Sequence, residues 1–388
     1  MILGVFVISC SDDDIKSSEN EIKEFALEEQ VGNAKISGNE ITVTVSEDAD
    51  LTSLAATTIK VSNFATVFPG VGVTQDFTSS VEYLVTAEDG SINIYVVSVA
   101  LREIEDKDEE DGKTPSPQVL NSSFDNWYEG KSGTFTYPEI GEDEDDKTWG
   151  TGNAGAAFAI NIGSDAGYPS EQFIEGDRTA IKLETQNMGS LAAGPLGGGK
   201  GIAAGNVFTG EFDLAQVTNA HPIFGYPFTD TPSSFKIDYK YFPEAQLFNG
   251  VLDEVDGEDA LDMFVILERR ETVKEGEEET QVVKRLGIGW YRSSEKQEEW
   301  TTLDIEIKYA QGEAPEGVED YQTKVLKYGV DGDITITDPS EMGEATWGDI
   351  TKEKPTHIVA VFTSSYQGDY FIGAPGSTLY VDNFELVY

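Results

Sequence analysis

The chain holds one cysteine, Cys10, in 388 residues. No intrachain disulfide is possible, so packing and hydrogen bonding must hold the fold. Its two histidines, His221 and His357, are far apart and lack ligand spacing, and no Cys/His cluster of the zinc-binding kind is present. Gly-x-Ser-x-Gly and P-loop patterns are missing too, which removes the usual serine-hydrolase and phosphate-cradling signatures. Cations are scarce: 26 Lys and Arg face 72 Asp and Glu, a net charge of −46. Such a field repels phosphate backbones and excludes nucleic acid as a partner. It also disfavours anionic polysaccharides, and neutral ligands fit it best. Much of the charge serves solubility. No apolar run reaches the roughly 20 residues that a membrane-spanning helix needs.

What is present points to β structure. Glycines number 39, aromatics make up 11% and apolar residues 39%, and Thr/Val/Ile/Tyr runs outnumber helix-period patterns. The chain reads as all-β: an N-terminal immunoglobulin-like β-sandwich, then a larger C-terminal β-sandwich jelly roll. Residues 11–20 are polar and read as a flexible tether. In 21–101, Ile41, Val43 and Val45 share one face of an alternating strand. Tyr83-Leu84-Val85-Thr86 and Tyr95-Val96-Val97-Ser98-Val99 flank an Asp89-Gly90 turn. Residues 102–117 are dense in Glu and Asp and end in Thr114-Pro115-Ser116-Pro117, a solvated linker. In 118–388, Phe235, Ile237, Tyr239 and Tyr241 alternate along one strand, and so does Leu303 to Tyr309. Met263 to Arg270 is mostly apolar throughout. Long Gly-rich or acidic loops join the strands, as a jelly roll allows.

Residues 1–10 run Met-Ile-Leu-Gly-Val-Phe-Val-Ile-Ser-Cys, followed by Ser11-Asp12-Asp13-Asp14. Val7-Ile8-Ser9-Cys10 resembles a lipoprotein signal-peptide box, in which the cysteine is lipidated. The acids after it resemble the export signal of Bacteroidetes surface lipoproteins. The usual basic segment is missing, which places the start of the chain inside the signal peptide. The resemblance implies lipidation at Cys10, an outer-membrane, cell-surface location and membrane contact through the lipid anchor alone.

The site candidates are chosen for sugar chemistry, since aromatic rings suit apolar C–H faces and Asp, Asn and Glu suit hydroxyls. Trp149, Asn153, Tyr226 and Trp347 are the expected pocket residues, with Asp238 and Glu268 as polar contacts. Glycines beside Trp149 and Trp347 place both in loops. Asp238 and Glu268 are expected on neighbouring strands, with Asp304 and Glu306 on a third; a suitably spaced carboxylate pair would allow glycoside hydrolysis. Trp127, Tyr128 and Trp290 are further aromatics, and Trp290 faces one sheet surface or the other. His221 lies in an aromatic loop that can line a pocket, whereas His357 opens an apolar strand and reads as structural. No catalytic residue or metal ligand is assigned. Asp125 and Asp382 resemble the pair that holds a structural calcium in many jelly-roll carbohydrate-binding modules.

Two further resemblances bear on function. Ile36-Ser37-Gly38, Gln75-Asp76-Phe77-Thr78 and Tyr83 to Gly90 look like the immunoglobulin-like or cadherin-like modules of Bacteroidetes surface lipoproteins, which act as spacers. Asn121 to Trp127, Trp149 to Asn153, Ser234 to Tyr241 and Gly368 to Leu386 look like the Bacteroidetes putative carbohydrate metabolism domain family. That resemblance implies a link to glycan use and supplies no catalytic motif. The leading expectation is a surface lipoprotein binding a neutral oligosaccharide or polysaccharide. The alternatives are a glycoside hydrolase or lyase using a carboxylate pair, and a structural adhesin without a small-molecule site.

Overall fold

The computed structural model describes residues 16–46, 49–101, 116–132, 134–161, 163–213, 221–275, 278–327 and 343–388. Cys10 and most of the acidic linker lie outside them. The chain separates into two compact units, one drawn from residues 1–102 and the other mostly from 103–388.

The first unit is a small two-sheet sandwich. Ile22–Leu27, Leu54–Val61 and Thr74–Gln75 form one sheet. The other runs, in spatial order, Lys35–Ser37, Glu40–Val45, Ile92–Leu101, Val81–Thr86 and Thr66–Phe68. Alternation decides the interior: Ile41, Val43, Val45, Tyr83, Val85 and Val97 are buried against Phe25, Leu27 and Phe77. Gly90 takes φ +89°, the conformation that the Asp89-Gly90 turn needs.

The second unit is a larger sandwich of two sheets. A five-stranded sheet runs in the order Ser170–Glu175, Arg178–Glu184, Thr378–Val387, Ser234–Phe242 and Gln297–Glu306. The eight-stranded sheet has the path Trp149–Thr151, Asn206–Asp213, His357–Thr363, Leu261–Glu275, Glu278–Ser293 and Lys308–Tyr309, joined by His221–Phe224 and Tyr226–Pro227. Phe235, Ile237, Tyr239, Tyr241, Leu379 and Val381 face Met263, Val265, Leu267, Ile358, Ala360 and Phe362 across the core.

The two sheets differ on their outer faces, as their sequences do. Lys236, Asp238 and Lys240 alternate with the core residues of Ser234–Phe242, so the middle of that strand is polar on its outer side. The run Met263-Phe264-Val265-Ile266-Leu267 has no polar member, and all of it is buried. Phe264 and Ile266 point away from the main core into a second cluster with Phe208, Ile288, Val359 and Val361. Val318, Leu326 and Trp347, from irregular segments, pack over that cluster. This cover shapes the site described next. Among the described residues, no helix is long and apolar enough to cross a membrane.

Candidate functional site

The structure disperses the residues chosen from sequence. Trp149 is not in a loop: it opens a strand, is 2% exposed, and packs edge-on to Phe124 and Phe384. Its Nε1 donates to the Leu120 carbonyl at 2.8 Å. The glycine beside it serves a close approach, since a Cβ on Gly150 would lie 2.8 Å from the Gly210 oxygen. Asn153 is fully buried as a staple; its Nδ2 donates to the carbonyls of Pro138 and Ser170, and its Oδ1 accepts from Ser170 N. Tyr226 is buried in the core between the sheets. His221 begins a strand and is buried, with Asp213 Oδ2 3.9 Å away. His357 hydrogen-bonds Thr356 through Nδ1, and burial, with Arg270 beside it, pushes its pKa down to about 3. Trp127 donates to the Phe124 carbonyl at 2.9 Å, and Tyr128 sits across from Glu139 on the paired strand.

Asp238 and Glu268 are not neighbours, because their strands belong to opposite sheets. Glu268 is buried and accepts from Arg270 Nε and Nη2 at 3.0 and 2.8 Å. Asp238 lies on the outer face of the five-stranded sheet, directly across from Asp382 on the adjacent strand. Arg178 bridges the two, with Nη2 3.1 Å from Asp238 and Nη1 3.2 Å from Asp382. Asp382 is thus paired with a guanidinium. No group of acids and histidines among the described residues is arranged to hold a metal.

A cleft of about 360 Å³ lies instead on the covered face of the large sheet. The strand Glu278–Ser293 presents Ile288, Trp290 and Arg292 on that side. Trp290 stacks on Phe264 with ring centroids 4.1 Å apart, and its Nε1 donates to Asp262 Oδ1. Arg292 donates from Nη2 to Asp262 Oδ2 at 2.6 Å. Its guanidinium carbon lies 4.1 Å from the Tyr321 ring centre and 4.5 Å from that of Tyr366. Burial drives the Asp262 pKa up, against the bonds from Arg292 and Trp290. This carboxylate is thus spent on orienting the aromatic floor and the cationic wall.

The opposite wall comes from a short 3-10 turn, Asp320–Thr323. Glu319 and Gln322 close it reciprocally as a capping box, with Gln322 Oε1 accepting from Glu319 N at 2.7 Å. Tyr321 projects from this turn edge-on to Trp290, with centroids 5.7 Å apart. Arg285, 3% exposed, fastens the cover to the sheet. Its Nη1 donates to the Gln322 carbonyl at 2.9 Å, and its backbone pairs with Thr346 and Gly348 on either side of Trp347. Trp347 is therefore part of the cover and not of the rim. Tyr291, Ile305, Glu306, Lys308 and Glu319 add to the lining. Sequence reasoning noted Trp290 and Glu306 but missed Asp262, Arg292 and Tyr321. The triplet Trp290-Tyr291-Arg292 and the capping box before an apolar segment were the available signals.

Aromatic surfaces beside an arginine, an amide and carboxylates make a lining that can stack and hydrogen-bond a polar, uncharged ring. The comparisons with known proteins place the chain among carbohydrate-related domains. Residues 123–387 match the family described as "Putative carbohydrate metabolism domain", and 22–99 match "SGBP, N-terminal". A crystal structure described as a putative glycoside hydrolase from Bacteroides thetaiotaomicron is 25% identical, with a TM-score of 0.52, over 97% of this chain and 99% of that one. A second so described, from Bacteroides vulgatus, is 20% identical with a TM-score of 0.46, over 68% and 96%. No curated protein matches. With its second sandwich spanned almost end to end by one family model, the chain belongs to the putative carbohydrate metabolism domain family.

Proposed function

We propose that the protein binds a neutral glycan in the cleft between Trp290 and Tyr321, as a surface lipoprotein anchored through Cys10. The observation that carries this reading is the fixed aromatic pair beside Arg292, with its supporting carboxylate already engaged. Stacking uses the rings, and Arg292, Gln322 and Glu306 are placed to bond hydroxyls. The first sandwich acts as a spacer. Titration calorimetry against neutral oligosaccharides tests the site. Tyr321→Ala and Trp290→Ala should each lower affinity by about tenfold, the scale of one lost stacking contact with its hydrogen bonds. Unchanged affinity in both variants refutes it. Cys10→Ala should abolish metabolic labelling by fatty acid; persistent labelling refutes the anchor.

Hydrolysis is the second reading, favoured by the two glutamates, Glu306 and Glu319, that line the cleft. It requires reducing ends to be released from a bound glycan and the release to disappear in Glu306→Gln or Glu319→Gln. Inertness on every glycan that binds rejects it.

A further inference from the structure

We propose that the outer face of the five-stranded sheet is a second carbohydrate surface, which takes an extended neutral polysaccharide chain across an aromatic stripe. Phe173, Tyr380 and Phe242, from three strands, form this stripe. Their ring centroids are 4.6 Å apart between Phe173 and Tyr380 and 6.1 Å between Tyr380 and Phe242. Trp300, on the edge strand, continues it beside Lys240, whose Nζ lies 5.1 Å from the indole centre. All four rings are partly exposed. None of the four lines the cleft, which lies over the other sheet and meets this one only at Ile305 and Glu306 of the edge strand.

Polar groups between the rings are held in place. Arg178 stacks 4.3 Å from Trp300, whose Nε1 donates to Glu175 at 2.6 Å. Asn383 Nδ2 donates to both Asp238 and Asp382, at 3.0 and 3.2 Å, and Thr302 donates to Asp238. The cations here are answered on the same face: Lys240 by Glu175, Lys236 by Glu385, Lys182 by Glu184, and Arg178 by both aspartates. Each of these cations is thus engaged, and the face keeps an excess of carboxylates, Asp304 opposite Lys236 and Glu171 opposite Lys182 among them.

That pattern selects the occupant. A protein partner would have to bury the Arg178–Asp238–Asp382 cluster in the middle of its interface, where desolvation is costly. Sugar hydroxyls keep such groups hydrogen-bonded while the C–H faces cover the rings. An anionic chain would meet Asp238, Glu175 and Glu184. The chemistry fits neutral, extended and polymeric ligands, and it does not depend on the cleft being a sugar site.

Affinity electrophoresis of the full chain in gels containing hydroxyethyl cellulose, galactomannan or soluble starch tests this. Wild type should be retarded in at least one gel. Trp300→Ala with Tyr380→Ala should weaken retardation about tenfold, the scale of two lost ring contacts, while Tyr321→Ala in the cleft leaves it in place. Phe242→Ala, at the strand end, should weaken it on its own and serves if the double variant melts early. Absence of retardation in every gel overturns the proposal, as does equal retardation of wild type and of folded face variants. Retardation lost only in Tyr321→Ala overturns it while supporting the cleft. Oligosaccharide binding that fails in the cleft while polymer retardation persists has the opposite meaning.

Discussion

Asp262→Asn removes one charge from a buried pair and leaves its shape in place. Asp262 is 3% exposed, and the Arg292 side chain is 24% exposed, 2.6 Å away. Breaking a fully buried pair costs about 3–5 kcal/mol, because the remaining charge loses its partner. Here Arg292 keeps some water and two tyrosine rings, each worth about 0.5–1 kcal/mol, so the cost should fall to about 2–3 kcal/mol. Asn retains an oxygen for Trp290 Nε1. Arg292→Met should cost a similar amount, and the double variant much less than the sum, giving a coupling near 2 kcal/mol. Trp127, Trp149, Trp290, Trp300 and Trp347 are the protein's five tryptophans, and all follow residue 118. Their fluorescence in urea melts therefore reports on the second sandwich alone. A coupling below about 0.5 kcal/mol, within the scatter expected of independent sites, would refute the argument that this pair organises the cleft.

Four other outcomes follow from the same geometry. Trp149→Ala should destabilise the second sandwich by about 3–5 kcal/mol through the cavity it leaves, with sugar affinity unchanged; lost affinity without lost stability contradicts its core role. Gly150→Ala should cost about 1–3 kcal/mol from overpacking against the Gly210 carbonyl, and a neutral effect in urea melts argues against that close approach. Burial pushes Glu139, 7% exposed, up to about 8. The native state thus holds its proton, and this contribution, at most about 5 kcal/mol, is intact below the ordinary glutamate range and lost as pH rises through 8. Glu139→Gln should flatten the fall in Tm between pH 5 and 9; an unaltered slope rejects the assignment. Arg285→Met should abolish cleft binding while far-UV circular dichroism stays native, and intact binding would show that the cover needs no such fastening.

Much of the architecture was legible because period-two alternation is a local signal. Phe235 to Tyr241 announced a strand with one wet face, and its outer side carries Lys236, Asp238 and Lys240. Met263 to Leu267, read only as part of an apolar run, is buried on both sides, and nothing in the run says what covers its second face. That cover comes from residues far along the chain, Val318 to Leu326 and Trp347, which carry no period of their own. The site suffered for the same reason. Asp238 and Glu268 share a polarity pattern, but sheet membership depends on crossovers that pattern does not encode. Trp149 was misplaced because glycine marks a close backbone approach as readily as a loop. Asn153 and Tyr226 looked available, since sequence gives no view of the carbonyls and core that engage them.

The five-stranded sheet ends on Gln297–Glu306, a strand whose outer backbone is unpaired by any strand of that sheet. Such a border is a template for accidental pairing between copies. Here it carries Glu298, Glu299, Asp304 and Glu306, and the opposite border carries Glu171. Two molecules brought side by side would set carboxylate against carboxylate along both margins. Crowded copies should therefore stay separate at low salt and begin to associate as the ionic strength rises and the repulsion is screened.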